Sequence, residues 1–430
     1  MCVCIRVDYT GKCVSILVTM VFFGAKKVSK VDTDPQKIEE LLTRGVENIF
    51  PNKDFLKKKL SEGIQMTFYY GIDPTGPTIH VGHLISIRKL AQLQKLGHKI
   101  IFLIGDFTAM IGDPTDKVAT RKKLSRKEVL LNCKNYQKQI AHIISFSGSN
   151  KALVKYNSEW LSKMSFQDVV ELASHFTVQQ ILERDMFEKR IEEGKPVYMH
   201  EFLYPLMQGY DSVAMGVDGE LGGNDQTFNM LAGRDLMKTL QGKEKFVLVS
   251  KLLVDPTGKK MGKSEGNMVA LDQTPEDMFG KVMSWSDGMI VPAYEIVTDI
   301  PMSEIETIKK NIEAGANPRD AKVGLAQEIV AMCFDVDAAE KAKNNFEKTF
   351  SKGEIPENIQ QVVVAHGEVL GDVLVTNKII DSKTEFKRLV DEGAIMNMET
   401  SKKVTEWSAL VEKGTYKIGK KRFVRVVTSH

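Results

Sequence analysis

Two histidines and two lysines carry the most specific chemistry in this sequence. His80 and His83 close the stretch Asp73-Pro-Thr-Gly-Pro-Thr-Ile-His80-Val-Gly82-His83, which runs from a strand-like segment through a Gly/Pro/Thr turn into a helix. Their spacing sets both imidazoles on one face of a first helical turn. A helix N-terminus presents unpaired N–H groups and favours anions. Gly82, between the histidines, lets a flat ring or sugar approach the backbone. Thr75 offers a hydroxyl to phosphate oxygens. The second group is Lys260-Met-Gly-Lys263-Ser264, following Asp255-Pro-Thr-Gly258. A polar, glycine-rich loop with two lysines brings positive charge to a triphosphate and offsets charge growing on departing pyrophosphate. Alone, the first motif also reads as a helix-capping turn and the second as a solvated lysine turn. Together, in this order, they point to phosphate chemistry.

The elements that must position these groups follow from apolar patterning. Residues 66–71 read as a short buried strand, and 81–96 as a helix with Leu84, Ile87, Leu90, Leu93 and Leu96 at helical spacing. Residues 100–104 form a continuous apolar run, the mark of a strand buried on both faces. Strand, helix, strand makes a βαβ unit. Strand-like runs recur at 152–156, 220–223 and 246–250, with a helix at 166–176; residues 34–62 read as charged helices. The fold class expected is α/β, an open, doubly wound parallel sheet whose ligands sit beyond the carboxyl ends of its strands. Beyond Val291, 303–314 and 320–348 read as amphipathic helices, and 351–357 as a linker. The domains expected are a leader (1–33), a catalytic domain (34–290), a helical domain (291–350), a linker (351–361) and a small basic-tipped α/β module (362–427).

Composition bounds the reading. The chain has 430 residues, 43 % hydrophobic and 27 % charged, with a net charge of +3, so any nucleic-acid surface must be a local patch. The cysteines, Cys2, Cys4, Cys13, Cys133 and Cys333, are odd in number, and no second pair follows Cys2 and Cys4. That argues for no metal site and for a reducing, cytoplasmic compartment. The apolar stretch 14–24 is about half the length of a membrane-spanning helix, so no membrane partner is expected. A start at Met20, with 1–19 a leader outside the native protein, is the plainer expectation.

The two motifs resemble the HIGH and KMSKS signatures of class I aminoacyl-tRNA synthetases, with Gly262 where the second pattern has Ser. Between them, Tyr204, Gln208 and Asp211 in Tyr204-Pro-Leu-Met-Gln208-Gly-Tyr-Asp211 share one helical face. Such a stripe is a poor core and a good polar wall for a small ligand. With Tyr69-Tyr70-Gly71-Ile-Asp73, Thr108-Ala-Met-Ile-Gly112-Asp113-Pro114 and Leu221-Gly-Gly-Asn-Asp225-Gln226, residues 35–427 are similar to tyrosyl-tRNA synthetases, in the bacterial form with a C-terminal S4 module.

The resemblance implies a Rossmann-like sheet and ATP-dependent activation of L-tyrosine for transfer to tRNA(Tyr). It implies that Tyr69 and Asp211 bond the substrate phenol, while Asp113, Tyr204 and Gln208 hold its ammonium. Gly71, Asp73, Gly82, His83, Asp225 and Gln226 would line the nucleotide and α-phosphate. Thr75 and His80 would meet the γ-phosphate, joined by Lys260, Lys263 and Ser264. Glu220 stands where many relatives carry Gln. ATP enters as a substrate with Mg²⁺ on its phosphates, no cofactor is tightly bound, and a homodimer is implied. Residues 382–395 resemble the helix-turn core of S4 RNA-binding modules, with Lys383, Lys387 and Arg388 on one helix face. Lys417, Lys420, Lys421, Arg422 and Arg425 follow near the end, and such charge fits phosphate contacts better than base readout.

Three rivals remain beside this reading. A tryptophan ligase shares the sheet and motifs, but Asp211 with Tyr69 suits a phenol better than an indole. A synthetase-like RNA-binding factor without catalysis would not need both histidines and both lysines. A nucleotidylyltransferase for small metabolites would leave the Tyr204–Asp211 face and the basic tail unexplained.

Overall fold

The computed structural model describes residues 31–113, 124–254, 268–351, 359–364, 367–419 and 422–428, with Thr257 and a two-residue ladder of Arg6–Val7 on Cys13–Val14. The expectations placed on the rest of the leader, on Lys260, Lys263 and Ser264, and on Lys420 and Lys421 lie outside the described residues.

Helix α1 (Pro35–Thr43) starts where the Asp34 carboxylate accepts from the N–H groups of Gln36 and Lys37. Strand β1 (Val46–Phe50) follows, then helix α2 (Lys53–Ser61), capped by the Asn52 side chain. The charged sequence here reads as helix throughout. The intervening strand escapes that reading because it is an edge strand with only Ile49 fully buried, so Glu47 and Asn48 face water and no apolar run marks it.

Next come β2 (Thr67–Ile72), α3 (Val81–Lys95), β3 (Lys99–Ile104) and β4 (Leu153–Tyr156). They are followed by α4 (Met199–Met215), β5 (Gly219–Gly223), α5 (Thr227–Gln241) and β6 (Phe246–Ser250). The six strands lie in the order β1-β6-β5-β2-β3-β4, parallel except where β1 runs against β6. β2 is flanked by β3, reached through α3, and by β5, reached much later in the chain. The order in which strands are added to the sheet therefore reverses beside β2, the kind of switch point whose carboxyl end accommodates ligands in open parallel sheets.

One apolar core runs from Ile38 to Ala342 and includes the buried faces of helices Ile290–Val297 and Pro318–Cys333. Two arginines tie the helical region to the sheet. Arg88 of α3 donates to the carbonyl of Ile296 (2.9 Å), and Arg44 to those of Glu295 (2.8 Å) and Thr298 (2.7 Å). Both cations thus meet the negative end of a helix.

The C-terminal residues have a core of their own, built from Val362, Leu370, Phe386, Ile418 and Val424 among others. Strands β7 (Gln360–Val364), β8 (Ile395–Asn397), β9 (Lys402–Lys403), β10 (Gly414–Ile418) and β11 (Arg422–Thr428) lie in the order β9-β8-β10-β11-β7. Helix α6 (Lys383–Asp391) buries Phe386, Leu389 and Val390 against them. Among the described residues no helix is long and apolar enough to cross a membrane.

Candidate active site

The histidines open α3, with His80 as its N-cap. The His80 backbone N–H donates to His83 Nδ1 (3.1 Å), so a neutral His83 carries its proton on Nε2. The rings lie 3.7 Å apart, centroid to centroid. Burial pushes His80 down to about 4. Burial, and then the neighbouring His80, push His83 to about 3. Both rings are therefore neutral donors near pH 7. His80 Nδ1 is buried and meets no partner among the described residues. Backbone bonds from Val81 to Val269 (2.9 Å) and from Leu271 to Ile79 (2.8 Å) fasten the chain just beyond the Lys260–Ser264 motif against His80.

Asp73, at the end of β2, binds two groups: Thr108 Oγ1 donates to one oxygen (2.7 Å) and the Tyr204 hydroxyl to the other (2.9 Å). Gly105 is what admits this contact. A Cβ there would fall 2.0 Å from Asp73 Oδ1 and 2.5 Å from Thr108 Oγ1. Asp113 accepts from Gln226 Nε2 (3.0 Å) and from Arg184 (2.9 Å). Asn229 joins Gln226 (3.1 Å) to Gln208 (2.9 Å), and Gln208 donates to Glu220 (3.2 Å). Thr75 is exposed on the turn after β2, and Gly71 is exposed on β2 itself.

Tyr69 and Asp211 lie deepest. Asp211, only 3 % exposed, accepts from Trp160 Nε1 (2.7 Å) and Asn157 Nδ2 (3.2 Å), one donor on each oxygen. Burial drives its carboxyl well above the usual carboxylate range, with those two donors pulling back. Burial, then the charges of Glu220 and Asp211, raise the Tyr69 phenol, which shares a hydrogen bond with Ser212 (2.9 Å). Tyr204, Gln208 and Asp211 all belong to α4, as the spacing requires.

The structure therefore gathers these residues into two hydrogen-bonded networks, one holding Asp73, Tyr204 and Asp211 and the other Tyr69, Asp113, Gln208 and Gln226. Sequence reasoning misses Asn157, Trp160, Ser212, Asn229 and Lys245. Asn157 directly follows β4, and the carboxyl ends of parallel strands are where ligand-facing residues gather. Lys245 gives no such signal, because a lysine before an apolar strand reads as a surface residue.

On α6, Lys383 pairs with Asp372 (2.6 Å) and Arg388 with Glu392 (2.9 Å), while Lys387 stands over the Trp407 ring (4.8 Å). Arg422 is tied to Glu385 (2.7 Å) and the Ile379 carbonyl (2.9 Å), so it serves the module's own structure.

The family model "tRNA synthetases class I (W and Y)" matches residues 61–351. A tyrosine–tRNA ligase of Carboxydothermus hydrogenoformans is 43 % identical over 404 residues, covering 90 % of this chain and 97 % of that protein. This chain belongs to the class I tyrosyl-tRNA synthetase family. The tyrosine–tRNA ligase of Haemophilus ducreyi, another relative, is 42 % identical over 91 % of this chain and 99 % of its own length. Among solved structures, a C-terminally truncated mitochondrial tyrosyl-tRNA synthetase of Aspergillus nidulans shares the fold at a TM-score of 0.61 and 23 % identity, over 73 % of this chain and 94 % of that one. The Archaeoglobus fulgidus synthetase solved with L-tyrosine does so at 0.58 and 21 %, over 72 % and 100 %.

Proposed function

We propose that this chain is a tyrosine–tRNA ligase in which the Tyr204–Asp211 face of α4 holds the amino acid and the start of α3 holds ATP. A substrate carboxylate oxygen attacks the α-phosphorus, the bond to the bridging oxygen breaks, and pyrophosphate leaves. The terminal hydroxyl of tRNA(Tyr) then attacks the activated carbonyl and releases AMP. No enzyme nucleophile takes part, so rate comes from positioning and from stabilising charge on the phosphates.

Tyr69 and Asp211 take the phenol, while Asp113, Tyr204 and Gln208 take the ammonium. Asp73, Gly71, Gly82, His83, Asp225 and Gln226 border the nucleotide in the Rossmann-like crevice beside β2. Thr75, His80, Lys260, Lys263 and Ser264 serve the outer phosphates, and Mg²⁺ accompanies these as part of the substrate. The residues after 361 act as an S4-like module on tRNA phosphates through Lys383, Lys387, Arg388, Lys420 and Lys421. The ligase works in the cytoplasm as a homodimer, a state supported by apolar side chains left open to solvent, with Phe166 84 % and Met199 76 % exposed.

The observation that carries the reading is a buried tyrosine hydroxyl, Tyr69, near enough to the buried Asp211 carboxylate to feel its charge, at the end of a polar wall. A site of that kind binds a phenol and leaves Tyr69 and Asp211 each one partner short with any amino acid lacking one. ATP–pyrophosphate exchange with each of the twenty amino acids tests it. Tyrosine alone should drive exchange, and stimulation by tryptophan instead would move the chain to the indole branch.

A further inference from the structure

Behind the proposed phenol pocket lies a buried chain of polar groups to which no substrate contact is assigned: Glu220, Lys245 and Ser212, exposed 3 %, 0 % and 0 %. A lysine ammonium taken wholly out of water is costly unless each proton finds an acceptor. Here each does. Lys245 donates to the Glu220 carboxylate, to Ser212 Oγ (2.8 Å) and to the Met230 carbonyl (3.0 Å). The ammonium also stands 5.9 Å from the centre of the Tyr69 ring. It fits there because residue 233 is glycine; a Cβ at that position would lie 2.5 Å from Lys245 Nζ.

The direction of the Ser212–Tyr69 bond follows from counting protons. An ammonium only donates, so Lys245 fixes one Ser212 lone pair and leaves that hydroxyl a proton and one further lone pair. If Tyr69 donated to Ser212, the Ser212 proton would have no partner among the bonds this hydroxyl makes. The single phenolic proton of a bound tyrosine would then have to serve both Tyr69 and Asp211. If Ser212 donates to Tyr69 and Asp211 is ionised between its Trp160 and Asn157 donors, every group is satisfied, the Glu220 carboxylate that also bears on Tyr69 being taken up by Lys245. Tyr69 gives its proton to the substrate oxygen, and the substrate gives its own to Asp211.

We infer that Ser212, held by the Lys245–Glu220 pair, is a positioning residue for amino-acid selection that fixes Tyr69 as the donor to the substrate phenol. This rests on the proposed assignment of Tyr69 and Asp211 to the phenol. Glu220 then acts at one remove, keeping Lys245 charged rather than touching the amino acid.

The test compares kcat/KM for tyrosine and for phenylalanine in ATP–pyrophosphate exchange, using the full chain and its S212A and S212C variants. Loss of one buried hydrogen-bond donor should lower the tyrosine value about 10-fold in S212A and leave the phenylalanine value near that of the wild type. S212C keeps a slightly larger side chain of the same shape with a weaker donor, so its tyrosine-to-phenylalanine ratio should fall between the other two. It carries the same comparison should S212A not accumulate as folded protein. In a Tyr69→Phe background, adding S212A should change the ratio little. An equal loss for both amino acids, or a ratio unchanged in both variants, would overturn the inference while tyrosine activation by the wild type still stood. A wild type that does not activate tyrosine would overturn the functional reading and this inference with it.

Discussion

Burial holds the pKa of both imidazoles at the start of α3 below neutral pH, so in the proposed roles they would meet phosphates through N–H donors rather than through charge. His80→Ala should therefore slow adenylate formation, by about 10²–10³-fold if its role matches that of a preorganised donor to developing charge. The tyrosine dissociation constant should stay near that of the wild type, and a matching loss of tyrosine affinity would place His80 elsewhere. The pH dependence follows from the direction of the shifts. Both groups are depressed from 6.5, to about 4 and about 3, so their neutral forms are lost only as pH falls through those values. Exchange measured between pH 5.5 and 8 should show no limb centred near 6.5 from these residues. Residues of this kind are legible because their types and spacing are unusual: His80, His83, Tyr204, Gln208 and Asp211 stand out in the bare sequence. Ser212 and Lys245 do not, since their meaning lies in contacts between α4, α5 and β6 that no local pattern encodes.

At the scale of elements, α4 and α5 pack backbone to backbone. A Cβ at Gly209 would lie 3.1 Å from the Gly233 nitrogen, and one at Gly233 would lie 3.2 Å from the Gly209 Cα. Gly233→Ala should cost about 1–3 kcal/mol of stability, as overpacking of a close-packed interior does, and should weaken tyrosine binding more than ATP binding. Thermal unfolding and separate KM measurements would check this; an unchanged melting temperature would show that the helices can part without strain. The buried strands β3 and β6 are legible as continuous apolar runs, and β6 matches its expected span residue for residue. The edge strand β1 is not, because pairing with β6 rather than burial makes it a strand.

Over the whole molecule, two cores share no residue: one spans Ile38 to Ala342 and the other Val362 to Val426. Removing 362–430 should therefore leave tyrosine-dependent exchange near its full rate. Charging of tRNA should fall, chiefly as a raised requirement for tRNA, because phosphate contacts supply a salt-dependent share of affinity. The defect should narrow at low salt, where the remaining contacts strengthen. Equal loss of both half-reactions would mark the module as a folding element, and undiminished charging at physiological salt would show that it is not needed to hold tRNA. The basic surface is only partly legible in the sequence. Arg422 counts toward the charge of the tail, yet the folded chain spends it on Glu385.

The glycine contact between α4 and α5 also limits what this pocket could be made to accept. With no side chain between the helices at that crossing, the wall cannot be moved inward or given slack by trimming it. Under the proposed assignment, extra room for a phenol bearing a bulky ring substituent would have to come from the side chains of the pocket itself, above all Tyr69 and Asp211. Those are also the groups proposed to recognise the hydroxyl. Enlarging this pocket and keeping its preference for a phenol are thus opposed demands, and a variant that gains one should be screened first for loss of the other.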